Sequence, residues 1–302
     1  MAQSLTATVV VPTYNRAQLL GYTLAALTRQ DLSADRFEVV VVDDGSSDDT
    51  AAVVEAYRDR LDLSYHFQPD DGYRVAAARN VGINAARNDV CVLLDSGVLP
   101  HSGCLRAHLD SHAADGPPQA VIGYVYGFNL DNEDAEAIRG LVDPTDADAA
   151  IKALAADGRW PDMREDFYRS HDDDIATLRA PWTVFWTCNV SVRTATLREV
   201  GAFDETFRSW GGEDVDLGIR LHLAGARFVV DRAAASLHYP HDKLFADNLT
   251  TLVPNYCYIA AKYDTPTVRL LPAIPTINPF NLDQVADHLD LPRCADVLGA
   301  NP

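Results

Sequence analysis

The first third of the chain alternates two hydrophobic periods. Short, largely apolar runs rich in β-branched residues, ATVVV at 7–11, FEVVVV at 37–42, LSYHF at 63–67 and VCVLL at 90–94, are separated by segments in which apolar residues recur every three or four positions. Side chains point alternately to the two faces of a sheet, so uninterrupted apolar runs suit strands covered on both sides. The segments between them, 17–30, 48–61 and 73–87, predict helices, with Ser47 as N-cap of the second. Such alternation predicts an α/β fold: a mostly parallel twisted sheet with helices on both faces.

In sheets of this kind ligands bind beyond the carboxyl ends of the strands. The informative residues therefore follow each run: Pro12-Thr13-Tyr14-Asn15-Arg16, Asp43-Asp44-Gly45-Ser46, Gln68-Pro69-Asp70-Asp71 and Asp95-Ser96-Gly97. Three successive strands deliver carboxylates to one edge. An Asp-Gly-Ser run taken alone is an ordinary turn and helix cap.

From 128 to 180 the pattern changes to an acidic, less apolar stretch with one clear helix, 146–158, closed by Gly158. It reads as an insertion or lid over the sheet edge, the alternative being a solvated linker. Regular structure resumes with PWTVFWTCNVSV at 181–192, expected as a strand, and GEDVDLGIRLHLAG at 212–225, expected as a helix. The tail from 240 predicts two more helices joined by LLPAIPTINPFNL. The expected organisation is one compact domain with a first half at 1–110, a second half at 111–240 containing the 128–180 insertion, and a helical extension at 241–302.

Charge narrows the partners. Across 302 residues, 25 Lys+Arg face 44 Asp+Glu, a net charge of -19, so the mean field repels nucleic acid and anionic lipid. A small anionic ligand is still compatible, because a few arginines and backbone N–H groups reverse the field locally. No apolar stretch is long enough for a membrane span or a signal-peptide core, which leads to the expectation of a cytoplasmic protein. Five widely spaced cysteines without a CxxC read as reduced thiols.

A dinucleotide-binding chain would show GxGxxG after its first strand; this one shows PTYNR. Together with VVVDDGSSDDT (40–50), DGYR and AARN within 71–80, and FRSWGGED (207–214), it resembles the family 2 glycosyltransferases of the nucleotide-sugar-binding GT-A fold, in their galactosyltransferase-like and chondroitin-synthesising branch. The resemblance covers about residues 7–240. It implies that Pro12, Thr13 and Asp44 surround the base, that Arg79 lies near the diphosphate or the donor sugar, and that Asp95 ends the strand where relatives carry a D-x-D or D-x-H triplet for ribose and a divalent cation. Asp43 is expected to support its loop through Ser46 or a helix end. Arg74 and Arg79 have an alternative as salt partners of Asp70 or Asp71.

In this chain the third triplet position is Gly97, which has no ligand to offer. A hard cation, Mn or Mg, often takes one or two carboxylates plus diphosphate and water, and by resemblance His238, in the HYPH segment, is the candidate that completes the site with Asp95. The alternative for His238 is a ring packed at a strand end.

The resemblance further makes Asp214 the base that deprotonates an acceptor hydroxyl, with Glu213 binding the acceptor or orienting the site. Gly211 and Gly212 let the backbone pass close to sugar, and Trp210 offers a ring to a C–H-rich pyranose face. The alternative for the acids is complementation of a helix dipole. Asp216 is expected to pair with Arg220, and Trp182, Phe185 and Trp186 to pack in the core. Asn189-Val190-Ser191 is a formal glycosylation sequon, expected to be silent.

The expected function is an inverting glycosyltransferase that moves a sugar from a nucleotide-sugar, by default a UDP-sugar, to a hydroxyl of a small molecule or soluble glycan. The rival from another class is a non-catalytic sugar-nucleotide-binding scaffold. A nucleotidyltransferase lacks its glycine-rich first loop here.

Overall fold

The structure is a computed structural model, describing residues 4–114, 116–128, 134–241 and 245–299. Eight strands form one sheet: β1 Ala7–Thr13, β2 Phe37–Asp43, β3 Leu63–Phe67, β4 Val90–Leu94, β5 Val98–Pro100, β6 Gln119–Tyr126, β7 Asn189–Arg193 and β8 Arg227–His238. Their order is β3-β2-β1-β4-β7-β6-β8-β5. β1 pairs in parallel with β2 and β4, and β2 with β3, as the alternating pattern predicts. β7 enters antiparallel between β4 and β6, and β5 closes the far edge antiparallel to β8.

Residues alternate faithfully between the two faces. Val9 and Val11 join Leu20, Leu24 and Val41 on one side of the sheet, whereas Val10 joins Ile83, Leu93 and Val190 on the other. The first side is covered by α1 (Ala17–Leu27) and the second by α3 (Val75–Ala85). Between these two helices in the chain lies a short α2, Thr50–Glu55.

Ser47 does not cap α2. The helix starts at Thr50, and Asp48 holds the corner, one carboxylate oxygen accepting from the Thr50 N–H at 3.1 Å and the other from the first N–H of α1, Ala17, at 2.9 Å. An acid that reaches two helix starts displaces a serine that could serve one. Ser47 instead donates its backbone N–H to Asn15 Oδ1 at 2.8 Å.

α4 (Cys104–Ser111) precedes β6, and the 128–180 stretch holds three helices in place of the single expected one: α5 Ala135–Leu141, α6 Ala147–Asp157 and α7 Glu165–Ser170. α6 is as expected, capped by the Asp146 carboxylate and ended by Gly158 at φ +76°. The stretch is tied to the sheet by a wholly buried ion pair. Asp162 accepts the Val125 N–H at 2.8 Å, and Arg164 binds Asp162 at 2.7 Å and the Val184 and Gly123 carbonyls at 3.1 and 3.2 Å.

Only the end of PWTVFWTCNVSV is a strand. Pro181–Val184 forms a 3-10 turn, because Pro181 lacks an N–H for a ladder, and β7 begins at Asn189. Trp182 and Phe185 are fully buried, as expected. Asn189 is also fully buried, its amide donating to the Ala234 carbonyl and Ser236, so the sequon is closed to modification in the fold. α8 (Thr194–Glu199) and α9 (Glu213–Leu223) follow. The tail has more structure than expected: α10 Phe245–Tyr263, a 3-10 turn over Val268–Ala273, α11 Leu282–His288 and α12 Cys294–Leu298. Four cysteines are buried and Cys257 is exposed, all as free thiols.

Candidate active site

The carboxyl ends of β1, β2 and β4 share one sheet edge, and Arg79 of α3 ties the end of β4 to the start of α9. At β1 and β2 the backbone is zipped one step past the strands, the Asp44 N–H donating to the Thr13 carbonyl at 2.9 Å. Asp43 turns back into its loop, accepting the Gly45 and Ser46 N–H groups at 3.1 and 2.7 Å and the Tyr65 hydroxyl at 2.6 Å. Its role as a loop support is therefore as expected, through Ser46.

Asp44 is buried and accepts both the Arg74 N–H at 2.9 Å and its guanidinium at 3.0 Å. Arg74 is thus a salt partner of Asp44 and not of Asp70 or Asp71. Those two acids are taken elsewhere, Asp70 by the Tyr14 hydroxyl at 3.0 Å and Asp71 by Arg208 at 2.8 Å. The Arg74 guanidinium does touch that loop, at the Pro69 carbonyl, but it takes its carboxylate from the end of β2. Pro12 and Thr13 complete the rim, and the buried Thr13 hydroxyl makes no hydrogen bond to protein.

Arg79, on α3 and only 4% exposed, joins the two halves of the edge. One guanidinium nitrogen donates to Asp95 Oδ1 and another to Glu213 Oε1, each at 2.9 Å. Burial works against its charge, but the two carboxylates outweigh that, and its pKa is raised. Neither acid is Asp70 or Asp71, so that alternative is set aside for Arg79 as well.

The acid pair opens α9, as the helix pattern predicts, after a loop in which Gly211 and Gly212 both take left-handed backbone angles, φ +88° and +97°. Such angles strain any residue with a Cβ. Asp214 is pushed up to about 7, by burial first and then by the neighbouring Glu213. Glu213 Oε2 is buried with no hydrogen-bond partner. Trp210 is partly buried against the core beside this loop. Asp216 is not part of the cleft: it is fully buried and binds Arg220 at 2.8 Å and Lys262 at 2.7 Å, the Arg220 pairing being as expected.

Two tyrosines reach the acids that sequence reasoning passed over. Tyr73 is pushed well above the usual phenol range by burial of its hydroxyl end and by Glu213, with Asp95 and Asp214 adding to it. It lies in the DGYR phrase, so its signal was present but unread. Tyr256 of α10 is also raised, by burial and then by Asp214 and Glu213. Nothing in the tail's periodicity singles it out.

Asp95 starts a tight turn in which the Val98 N–H returns to the Asp95 carbonyl at 3.0 Å. Gly97 sits at φ +95°, and its carbonyl accepts the Tyr239 N–H at 2.9 Å, immediately after His238 at the end of β8. His238 is buried, with its ring 5.0 Å from Phe128 and 5.2 Å from His241. Strand pairing thus brings Asp95 and His238 to one corner. Among the described residues no three His, Cys, Asp or Glu side chains gather as a metal cage.

The family model for glycosyl transferase family 2 matches residues 8–166, and that for the N-terminal domain of galactosyltransferase matches 172–242. The chain is 41% identical over 247 residues to validoxylamine A glucosyltransferase of Streptomyces hygroscopicus subsp. jinggangensis, covering 82% of this chain and 58% of that protein. It is 33% identical over 244 residues to chondroitin synthase of Pasteurella multocida, covering 78% and 25%. The chain therefore spans about half the length, or less, of these curated relatives. In fold it is similar to the Pyrobaculum calidifontis mannosyltransferase PcManGT in complex with GDP-Man and Mn2+, at TM-score 0.62, 20% identity and 99% and 75% coverage. It is also similar to S. aureus TarS 1-349 in complex with UDP-GlcNAc, at TM-score 0.58, 20% identity and 85% and 67% coverage. Among the described residues no helix is long and apolar enough to cross a membrane. A GT-A sheet edge lined with acids, a paired acid at a glycine-loosened helix start and a family match over more than half of its length establish that the chain belongs to glycosyl transferase family 2.

Proposed function

We propose that the chain is an inverting glycosyltransferase that uses a nucleotide-sugar, by default a UDP-sugar, and glycosylates a hydroxyl of a small molecule or soluble glycan in the cytoplasm. The observation that supports this reading most is the Arg79 bridge, which joins Asp95 to Glu213 of the acid pair at 2.9 Å each. Residues 1–110 would bind the donor, 111–240 with the 128–180 insertion would receive the acceptor, and 241–302 would brace the second half.

In this reading Pro12, Thr13 and Asp44 line the base pocket, and Trp210 and Gly212 border the sugar. Asp214 takes the proton of the acceptor hydroxyl as its oxygen attacks the anomeric carbon. The bond to the diphosphate breaks on the opposite face, and its electron pair leaves with the nucleotide. A base raised to about 7 is matched to this task at neutral pH. Glu213 would bind the acceptor, since its unpartnered Oε2 is a buried acceptor atom that a sugar hydroxyl can satisfy. Arg79 offsets the negative charge of two acids that would otherwise repel the diphosphate.

A divalent cation, Mn or Mg, fits this edge only as a ligand shared with the donor: Asp95, whose side chain is 36% exposed, and His238 are the residues that would hold it. When bound it would neutralise charge on the leaving diphosphate.

The test is turnover of UDP-sugars, including slow hydrolysis without acceptor, by the wild type and by Asp214→Asn. The expected result is retained UDP binding with lost transfer in the variant. UDP binding by a wild type that neither transfers nor hydrolyses would identify the scaffold reading instead.

A further inference from the structure

Asp214 follows a diglycine step, Gly211-Gly212, that has no side chains to anchor it. Gly211 and Gly212 precede the acid pair; the Gly212 carbonyl accepts the Asp216 N–H of α9 at 2.9 Å, whereas the Trp210 and Gly211 carbonyls are held from outside. The tail helix α10 does this. Asn255 Nδ2 donates to the Gly211 carbonyl at 2.6 Å, to the Trp210 carbonyl at 3.3 Å and to Ser209 Oγ at 3.1 Å. Thr251 Oγ1 donates to the same Trp210 carbonyl at 3.0 Å.

The packing is equally close. A Cβ on Gly211 would lie 2.8 Å from Leu252 Cδ1, and one on Gly212 would lie 3.3 Å from the Asn255 Cβ and the Ile259 Cδ1. Two turns further on, Lys262 and Tyr263 bind the buried Asp216 at 2.7 and 2.8 Å, fixing the first turn of α9 itself. Between the two clamps lies Tyr256, within electrostatic reach of both Asp214 and Glu213. One face of α10 therefore holds the loop before the acid pair and the residue two positions after it.

We propose that Asn255 is a positioning residue for the acid pair: by holding the Trp210 and Gly211 carbonyls it sets where the Asp214 carboxylate meets the acceptor hydroxyl. The inference rests on Asp214 being the base. It assigns α10 to the acceptor half of the reaction and leaves donor binding to the ends of β1, β2 and β4. Losing the Asn255 contacts frees a diglycine loop, and a displacement of about 1 Å at a reacting group costs on the order of 100-fold in rate.

The experiment compares Asn255→Ala, Asn255→Asp and Thr251→Val with the wild type for kcat, acceptor KM, UDP affinity, melting temperature and the pH profile of kcat. Asn255→Asp keeps the shape while removing both donors, so it stays informative if the alanine variant does not fold. The expected result is a fall in kcat of at least about 10-fold in the Asn255 variants and a smaller one in Thr251→Val, with UDP affinity unchanged and the acidic limb displaced. Wild-type kcat and an unmoved acidic limb in a folded Asn255 variant would overturn the proposal, as would a loss seen only in melting temperature. The Asp214→Asn variant separates the two readings. If it is active, the base assignment fails; if it is inactive while Asn255→Asp is normal, only the positioning role fails.

Discussion

Arg79 and Glu213, 134 positions apart in the chain, meet at 2.9 Å in a site where the arginine is 4% exposed and the glutamate side chain 7%. Asp95 shares the same guanidinium. Removing one partner of a buried ion pair strands the other charge, which costs about 3–5 kcal/mol. Arg79→Met is therefore expected to lower the melting temperature markedly and to abolish UDP-sugar binding. Arg79→Lys should rescue little, since a point charge cannot span two carboxylates as a planar fork does. Thermal melts with and without UDP read both effects.

Asp214 links rate and stability to pH with opposite signs. Its pKa is raised to about 7 in the folded chain, against about 3.9 for a free aspartate. The folded state therefore holds the proton more tightly between these values, and the stability it contributes is complete below about 4 and lost as pH rises through about 7. With Asp214 as the proposed base, transfer requires its deprotonated form, so kcat should climb through the same upper region. Asp214→Asn keeps the neutral shape, and it should melt higher than the wild type at pH 8 while showing no transfer.

Gly97 explains why restoring an acid should not restore a metal site. Its φ of +95° disfavours any side chain, although the nearest atoms a Cβ would meet are Leu19 carbons at an ordinary 3.5–3.6 Å. Gly97→Asp is expected to cost about 1–3 kcal/mol of stability, measured by denaturant melts, without increasing Mn-dependent stabilisation by UDP. His238→Ala should remove whatever part of the UDP-induced thermal shift depends on Mn and leave the part seen in EDTA.

A buried histidine pair behind the sheet predicts sensitivity to acid. His108 bridges Asn189 and Ser191 at 2.9 Å each, and His112 meets Ser191 at 2.9 Å. Burial, then His108 and Arg193, lower the His112 pKa to about 3. A folded pKa below the unfolded value near 6.5 gives stability that is full above about 6.5 and lost as pH falls toward about 3. Melting temperature should therefore drop steadily over this range in the wild type and less steeply in His112→Gln.

Much of the donor edge was legible in the chain. Consecutive apolar runs impose buried parallel strands, and residues just after such strands must lie at one edge, which placed Asp44 and Asp95 before any coordinates. The start of α9 was legible too, because two glycines followed by acids and an apolar period mark a helix start. Asp216 with Arg220 followed from helical spacing alone.

What the sequence by itself determined was local: strand and helix periods, strand-end chemistry and the character of the Gly-Gly-Glu-Asp turn. These follow from backbone geometry, which repeats every two or 3.6 residues and is written in nearest neighbours. Which acids Arg74 and Arg79 bind was decided only by tertiary structure. Arg74 chose Asp44 over the nearer Asp70 and Asp71, and Arg79 joined Asp95 to Glu213. So was the reach of α10 to the loop before the acid pair, where Asn255 lies 44 positions from the Gly211 carbonyl it holds. Such contacts depend on which elements the folded sheet brings side by side, and no period in the chain encodes that distance.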